Sequence, residues 1–226
     1  MIEFYGGYQV YSESGIDLTL LRRNLQLTVS QRWLQQAQCQ RSVAALVASV
    51  RGGPNGPLPG TRRSVMLDSV GILRQLTKGQ VDFVVIGGLA MTLNGSAYIT
   101  NDVDVCYSRT PQNIARLAAA LEPLHPYLRG VPQGLPFRFD VATIQAGLNF
   151  TLTTDLGDLN VPGEVSGVGN YEQALSRSVE KTAFDMCIHV LSIDGLIASK
   201  KAAGRMKDRN HILELEELKK MLEDNS

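Results

Sequence analysis

Apolar positions recur along this chain in two periods, near 3.6 and near 2, and the places where the period changes mark most of its elements. Asp17 to Val50 is rich in leucine and glutamine, with Leu18, Leu21, Leu25 and Val29 at near-helical spacing, and predicts a helical arm. Gly and Pro dominate the next ten residues, Arg51–Gly60, which predicts a linker. Ser64 to Lys78 reads as an amphipathic helix with Val65, Leu67, Val70, Leu73 and Leu76 inward, stopped by Gly79. Asp82–Ile86 is a β-branched run of buried-strand type; Gly87 and Gly88 follow it, and Leu89 to Leu93 predicts the first turns of a helix. Thr110 as N-cap and Pro111 at the first helical position open a helix through Glu122. Six prolines and glycines between Pro123 and Pro136 then predict a long loop from Leu124 to Phe139. Period two returns from Asn149 to Val161, where Phe150, Leu152, Leu156 and Leu159 mark a strand pair, and helices are expected over Ile193–Ala203 and Arg209–Leu222.

These elements divide into an arm with its linker, residues 1–60, and a core, residues 61–226, with C-terminal helices. A chain of 226 residues, 44% hydrophobic, can bury one good core and carry an appendage. The arm's apolar stripe needs cover from that core or from a second copy of the chain, and a homodimer through the arm is the favoured expectation. Lys and Arg balance Asp and Glu at 22 each, which argues against a nonspecific coat on nucleic acid while leaving room for a local basic patch. No aromatics interleave with a basic stripe, so RNA has no direct support as a partner. Cys39, Cys106 and Cys187 are widely spaced and odd in number, so they are expected to be reduced and buried, which suits a cytoplasmic protein. No apolar run approaches the ~18 residues of a membrane span, and Met1-Ile2-Glu3-Phe4 lacks the basic start of a signal peptide.

The chemistry concentrates between Val81 and Val105. Asp102 and Asp104 alternate on an expected strand, so both carboxylates share one face. Two like charges that close destabilise the fold unless a cation sits between them, which makes the pair a candidate half-site for Mg²⁺ or Mn²⁺. The plainer reading is an Asx turn at Asn101-Asp102 with Asp104 solvated at a strand edge. Context favours the first, because a strand, a double glycine and a helix N-terminus together make a seat for phosphate. Metal-assisted phosphoryl chemistry also needs a third carboxylate from a neighbouring strand. Asp158 and Asn160 share one face of the strand that could supply it. His125, in the expected loop, is either a base or a plain loop histidine, and no His, Cys or carboxylate motif accompanies it.

The ordered set Gly87-Gly88-x-Ala90, Gly95-Ser96-Ala97 and Thr100-x-Asp102-x-Asp104-Val105 resembles the minimal nucleotidyltransferase-fold proteins of the polymerase-beta-like superfamily. In particular it resembles the bacterial branch that includes abortive-infection toxins and toxin–antitoxin nucleotidyltransferases. The resemblance runs from about Ser64 to Leu218. It takes in Thr154-x-x-Gly157-x-Leu159, Leu191-Ser192-x-x-x-Leu196-Ile197-x-x-Lys200 and Gly204-Arg205-x-Lys207-Asp208. It implies an α+β fold, a short mixed sheet flanked by helices and followed by C-terminal helices. The implied activity is transfer of a nucleoside monophosphate from an NTP such as ATP to an acceptor: tRNA, a protein or a small molecule. On this resemblance Gly87 and Gly88 would seat the triphosphate, Asp102 and Asp104 would hold the metal, and Lys200 would reach the phosphates or else be a solvated helix lysine. Arg205, Lys207 and Asp208 would fix the junction of the last two helices, with Asp208 capping the second.

Two departures qualify that picture. Tyr98 stands where the family commonly has an arginine, and Asn160, followed by Val161-Pro162, stands at the third-carboxylate position. An asparagine offers a neutral carbonyl and cannot take a proton from an attacking hydroxyl; Asp158 could replace it only through a register shift or bulge. Three classes of function stay open on the sequence: an active nucleotidyltransferase, a noncatalytic nucleotide-binding or interaction module such as one member of a toxin–antitoxin pair, and a structural protein retaining only the fold.

Overall fold

A computed structural model of the chain describes residues 4–5, 8–51, 66–132 and 136–224. The expected linker beyond Arg51, together with Val65 and Gly134, lies outside the described residues.

The described residues begin with a short antiparallel pairing of β1 (Phe4–Tyr5) with β2 (Tyr8–Gln9). The arm expected as one helical segment is two helices, α1 (Leu18–Leu25) and α2 (Val29–Arg51). Asp17 caps α1 by accepting from the amides of Thr19 and Leu20. The arm lies on the core of its own chain: Leu18, Leu21 and Trp33 are buried, with Leu25 and Val29 half-buried beside them. The same chain thus covers the stripe, and a second copy is not required at those positions.

Polar groups tie the arm down as well. Asn24 donates to the Ser96 carbonyl (2.9 Å), Arg32 to that of Leu93 (3.0 Å), and Gln36 and Gln40 both to that of Thr100. These carbonyls end one helix and line the loop that leads to Asp102, so the arm holds the approach to the carboxylates. Trp33 anchors it, with its indole Nε1 2.7 Å from Ser69 Oγ and its ring edge-on to Phe184 at 5.4 Å. We expect Trp33→Ala to cost about 3–5 kcal/mol, the usual range for a buried aromatic cut to alanine. Denaturant unfolding checks it, and a loss below about 1 kcal/mol would make the arm peripheral to the fold.

Helix α3 (Ser69–Lys78) starts at Ser69 rather than Ser64, because the Asp68 carboxylate caps it by accepting from Gly71. Ile72, Leu73 and Leu76 face the core. The chain continues through β3 (Phe83–Ile86), α4 (Gly87–Asn94), β4 (Asp102–Tyr107) and α5 (Pro111–Leu121), the last capped by Thr110 as expected. A 3-10 turn, Glu122–Leu124, follows. The segment expected as loop carries a short strand, β5 (Tyr127–Leu128), because its backbone pairs with the edge of β6 (Asn149–Thr154) beyond helix α6 (Val141–Ala146). Strand β7 (Gly157–Pro162) completes the expected strand pair.

The pairing β8 (Glu164–Val165) with β9 (Gly169–Asn170) and helix α7 (Tyr171–Ser176) lead into a hairpin, β10 (Ser178–Ala183) with β11 (Met186–Leu191). Its turn places Phe184 and Asp185 at positive φ. Helices α8 (Ile193–Ala203) and α9 (Met206–Asp224) end the described chain. The fold is α+β. One seven-stranded mixed sheet runs β10-β11-β3-β4-β7-β6-β5, with β11/β3 and β4/β7 parallel and the other pairs antiparallel.

Cys39 is half-buried, Cys106 buried and Cys187 exposed, each a free thiol. The expectation of burial therefore fails at Cys187, which alternates outward on β11 between buried Met186 and Ile188. Burial pushes the Cys106 thiol up to about 12, so it is inert. No helix among the described residues is long and apolar enough to cross a membrane.

Candidate functional site

The site is built where β3 turns into α4 beside β4. Gly87 begins the helix at φ +65°, and a Cβ placed there would lie 2.1 Å from Asp104 Oδ2. A Cβ at Gly88 would meet Thr100 at 2.6 Å. Gly87, in the left-handed region that glycine alone enters freely, thus lets the first turn of α4 press against the strand that carries the aspartates, and Gly88 lets it press against the loop that leads into that strand. The positive end of α4 is thus brought directly against a carboxylate.

Asp102 and Asp104 lie on one face of β4, while Val103 and Val105 fill the core on the other. The parallel register sets Asp158 opposite Asp102 and Asn160 opposite Asp104. The Asn160 amide Nδ2 donates to both aspartates, to Asp102 Oδ2 at 3.0 Å and to Asp104 Oδ1 at 2.8 Å. Thr100 donates its hydroxyl to the other Asp102 oxygen at 2.8 Å. Burial, and then the charge of Asp102, pushes the Asp104 carboxyl up to about 6, against the opposing pull of Asn160, Lys200 and Arg129. Tyr98 brings a phenol whose pKa is raised by burial and then by these two carboxylates. It packs edge-on against His211 at 4.4 Å.

A residue that the sequence did not single out closes this face. Arg129 continues β5 by donating its backbone N–H to Thr151 O (3.0 Å). Its guanidinium donates to Asp158 Oδ2 (3.0 Å) and Asn160 Oδ1 (2.7 Å), and lies 3.7 Å from Asp102 Oδ2. Asp158 accepts from the Thr153 hydroxyl as well (2.8 Å), so it is held by groups of its own. The only hint in the sequence was the β-forming Tyr127 inside a stretch otherwise read as irregular.

Lys200 is neither solvated nor free. It is buried on α8 with Nζ 3.3 Å from Asp208 Oδ1, while Arg205 Nε donates to the other oxygen at 2.7 Å. Burial alone would raise Asp208, but the Arg205 hydrogen bond and the Lys200 charge outweigh it and hold the carboxyl down to about 2. Asp208 therefore joins α8 to α9 from within the first turn of α9, rather than capping a helix that begins after it. His125 bonds to Asp155 through Nδ1 at 2.6 Å, so its partner is not one of the clustered carboxylates.

Two carboxylates beside a helix N-terminus, on a mixed sheet flanked by helices, define a nucleotidyltransferase-like protein. A family model described as a nucleotidyltransferase of unknown function (DUF6036) matches residues 70–223, and the chain belongs to that family. No curated protein matches it.

The donor set suits a hard divalent cation in part. Asp102 and Asp104 supply anionic oxygens side by side, and the upward shift at Asp104 is what a cation between them would relieve. Among the described residues no three His, Cys, Asp or Glu side chains group around a metal position.

Proposed function

We propose that this face binds an NTP with Mg²⁺ or Mn²⁺ and transfers its nucleoside monophosphate to an acceptor hydroxyl. The observation that carries the reading is the abutment of Gly87 on Asp104. It puts a helix N-terminus, which favours phosphate, against a carboxylate pair, which favours the cation that accompanies phosphate. Asp102 and Asp104 would hold the cation, which when bound neutralises phosphate charge in the transition state.

The remaining work falls to the chain. The first turn of α4 orients the triphosphate, and Lys200 adds a nearby positive charge to the field at Asp104. In the transfer the acceptor oxygen forms a bond to the α-phosphorus. The bond to the bridging oxygen breaks, and pyrophosphate leaves. Asn160 cannot take the acceptor proton and Asp158 is engaged by Arg129, so the proton passes to solvent unless the substrate provides a base.

Incubation of the full chain with each labelled NTP, Mg²⁺ or Mn²⁺, and total cell RNA and protein should give a labelled product that disappears in Asp102→Asn. The nature of that product names the acceptor as tRNA, protein or small molecule. A second reading has its own observation: the Asn160 amide already donates to both aspartates. That favours a noncatalytic nucleotide-binding module, as in one partner of a toxin–antitoxin pair. Cation-dependent NTP binding with no label transferred would select it.

A further inference from the structure

We propose that Arg129 is a positioning residue that sets the cation affinity of the carboxylate pair through the Asn160 amide, an inference that rests on the metal reading above. An amide has a donor end and an acceptor end. Arg129 Nη2 takes the acceptor end at 2.7 Å, and so turns Nδ2 toward Asp102 and Asp104. The guanidinium is itself held in place by Asp158, 3.0 Å from Nη1, and by the pairing of its backbone to Thr151. In this orientation Asn160 gives the carboxylates hydrogens and offers a cation no lone pair.

Bringing Oδ1 toward the carboxylates takes a half-turn of the amide, and that half-turn would aim Nδ2 at the guanidinium, donor against donor. Arg129 opposes it. The same guanidinium adds a positive charge 3.7 Å from Asp102 Oδ2, so amide orientation and charge act in one direction. A face held this way is weak for the bare cation. The Arg129 side chain is about one-third exposed, at 32%, so an incoming group can reach it.

The test is calorimetric titration of the full chain with MnCl₂ alone. Arg129→Met should tighten Mn²⁺ binding roughly tenfold, the scale of one charge-assisted hydrogen bond lost from the competing arrangement. Arg129→Lys keeps the charge but lacks the fork, and should shift affinity in the same direction. If the effect passes through the amide, the gain from Arg129→Met is clearly smaller when Asn160→Ala is already present, leaving only what the guanidinium charge contributes. An equal gain in both backgrounds would overturn the inference, because charge or the released Asp158 would then explain it, and so would no gain at all.

A readout independent of metal accompanies this. In a proton–nitrogen correlation spectrum the Asn160 side-chain pair is identified by its loss in Asn160→Ala, and Arg129→Met should move it markedly. An unmoved pair overturns the proposal. Loss of Mn²⁺ binding in Asp104→Asn alongside no effect of Arg129→Met leaves the metal reading standing and removes the inference. A moved pair in a protein that binds no Mn²⁺ removes the metal reading and leaves Arg129 as the residue that orients the amide.

Discussion

Asp104→Asn should make the protein more stable above neutral pH while abolishing its cation binding and label transfer. The Asp104 carboxyl, ordinarily near 3.8, is pushed up to about 6 by burial and then by Asp102. Between these values the unfolded chain has given up its proton while the folded chain still holds it. Folding is therefore increasingly penalised as pH rises through that window, and the whole penalty is present above about 6. Asparagine carries no charge and escapes the penalty. Because the site is partly open to water, the gain is on the order of 1–2 kcal/mol rather than the full linkage value. Urea unfolding of wild type and Asp104→Asn at acidic and alkaline pH should give curves that coincide at about pH 4 and separate toward about pH 8. In wild type the proton competes for the same oxygens, so Mn²⁺ affinity should fall as pH drops through about 6. A less stable Asp104→Asn protein at alkaline pH, or one that still binds Mn²⁺, would show that Asp104 is not a strained anion beside a second one.

The elements that frame this site were readable because their signals are local. A β-branched run before paired glycines, an alternating Asp-Val-Asp-Val and a Thr-Pro helix start each fix conformation within a few residues, and β3, α4, β4 and α5 follow them. The unread parts depend on partners far along the chain. Strand β5 exists through its pairing with β6, some two dozen residues on, so composition alone marked it as loop. Trp33 is an unremarkable helix residue until Ser69 and Phe184 close around it. Lys200 was visible as a helix lysine, but its burial was not. The chain reverses at Gly204, with φ +62°, and only that turn brings Asp208 back against it. Which of Asp158 and Asn160 faces Asp104 also turned on strand register, a property of two segments together.

Asn160→Asp should exchange self-sufficiency for dependence on the cation. The amide Nδ2 that now donates to Asp102 and Asp104 would become an acceptor, and four carboxylates, Asp158 among them, would share one face with the charges of Arg129 and Lys200 opposing them. Without divalent cation the variant should be less stable than wild type, since like charges that close repel and the aspartates lose their donor. With Mn²⁺ present the order should reverse. A third anionic ligand tightens binding, and stabilisation grows as RT ln(1 + [L]/Kd), so the thermal shift produced by Mn²⁺ should exceed that of wild type. Label transfer should rise too, because a carboxylate at this position can take the acceptor proton, a contribution of roughly 10²- to 10⁴-fold in general-base catalysis. Thermal unfolding with and without Mn²⁺, together with the labelled-NTP assay, reads both effects. A variant that transfers more slowly than an active wild type would mean that the amide is suited to the reaction as it stands. Asp158, freed from Arg129, would then be the group to test as the third ligand.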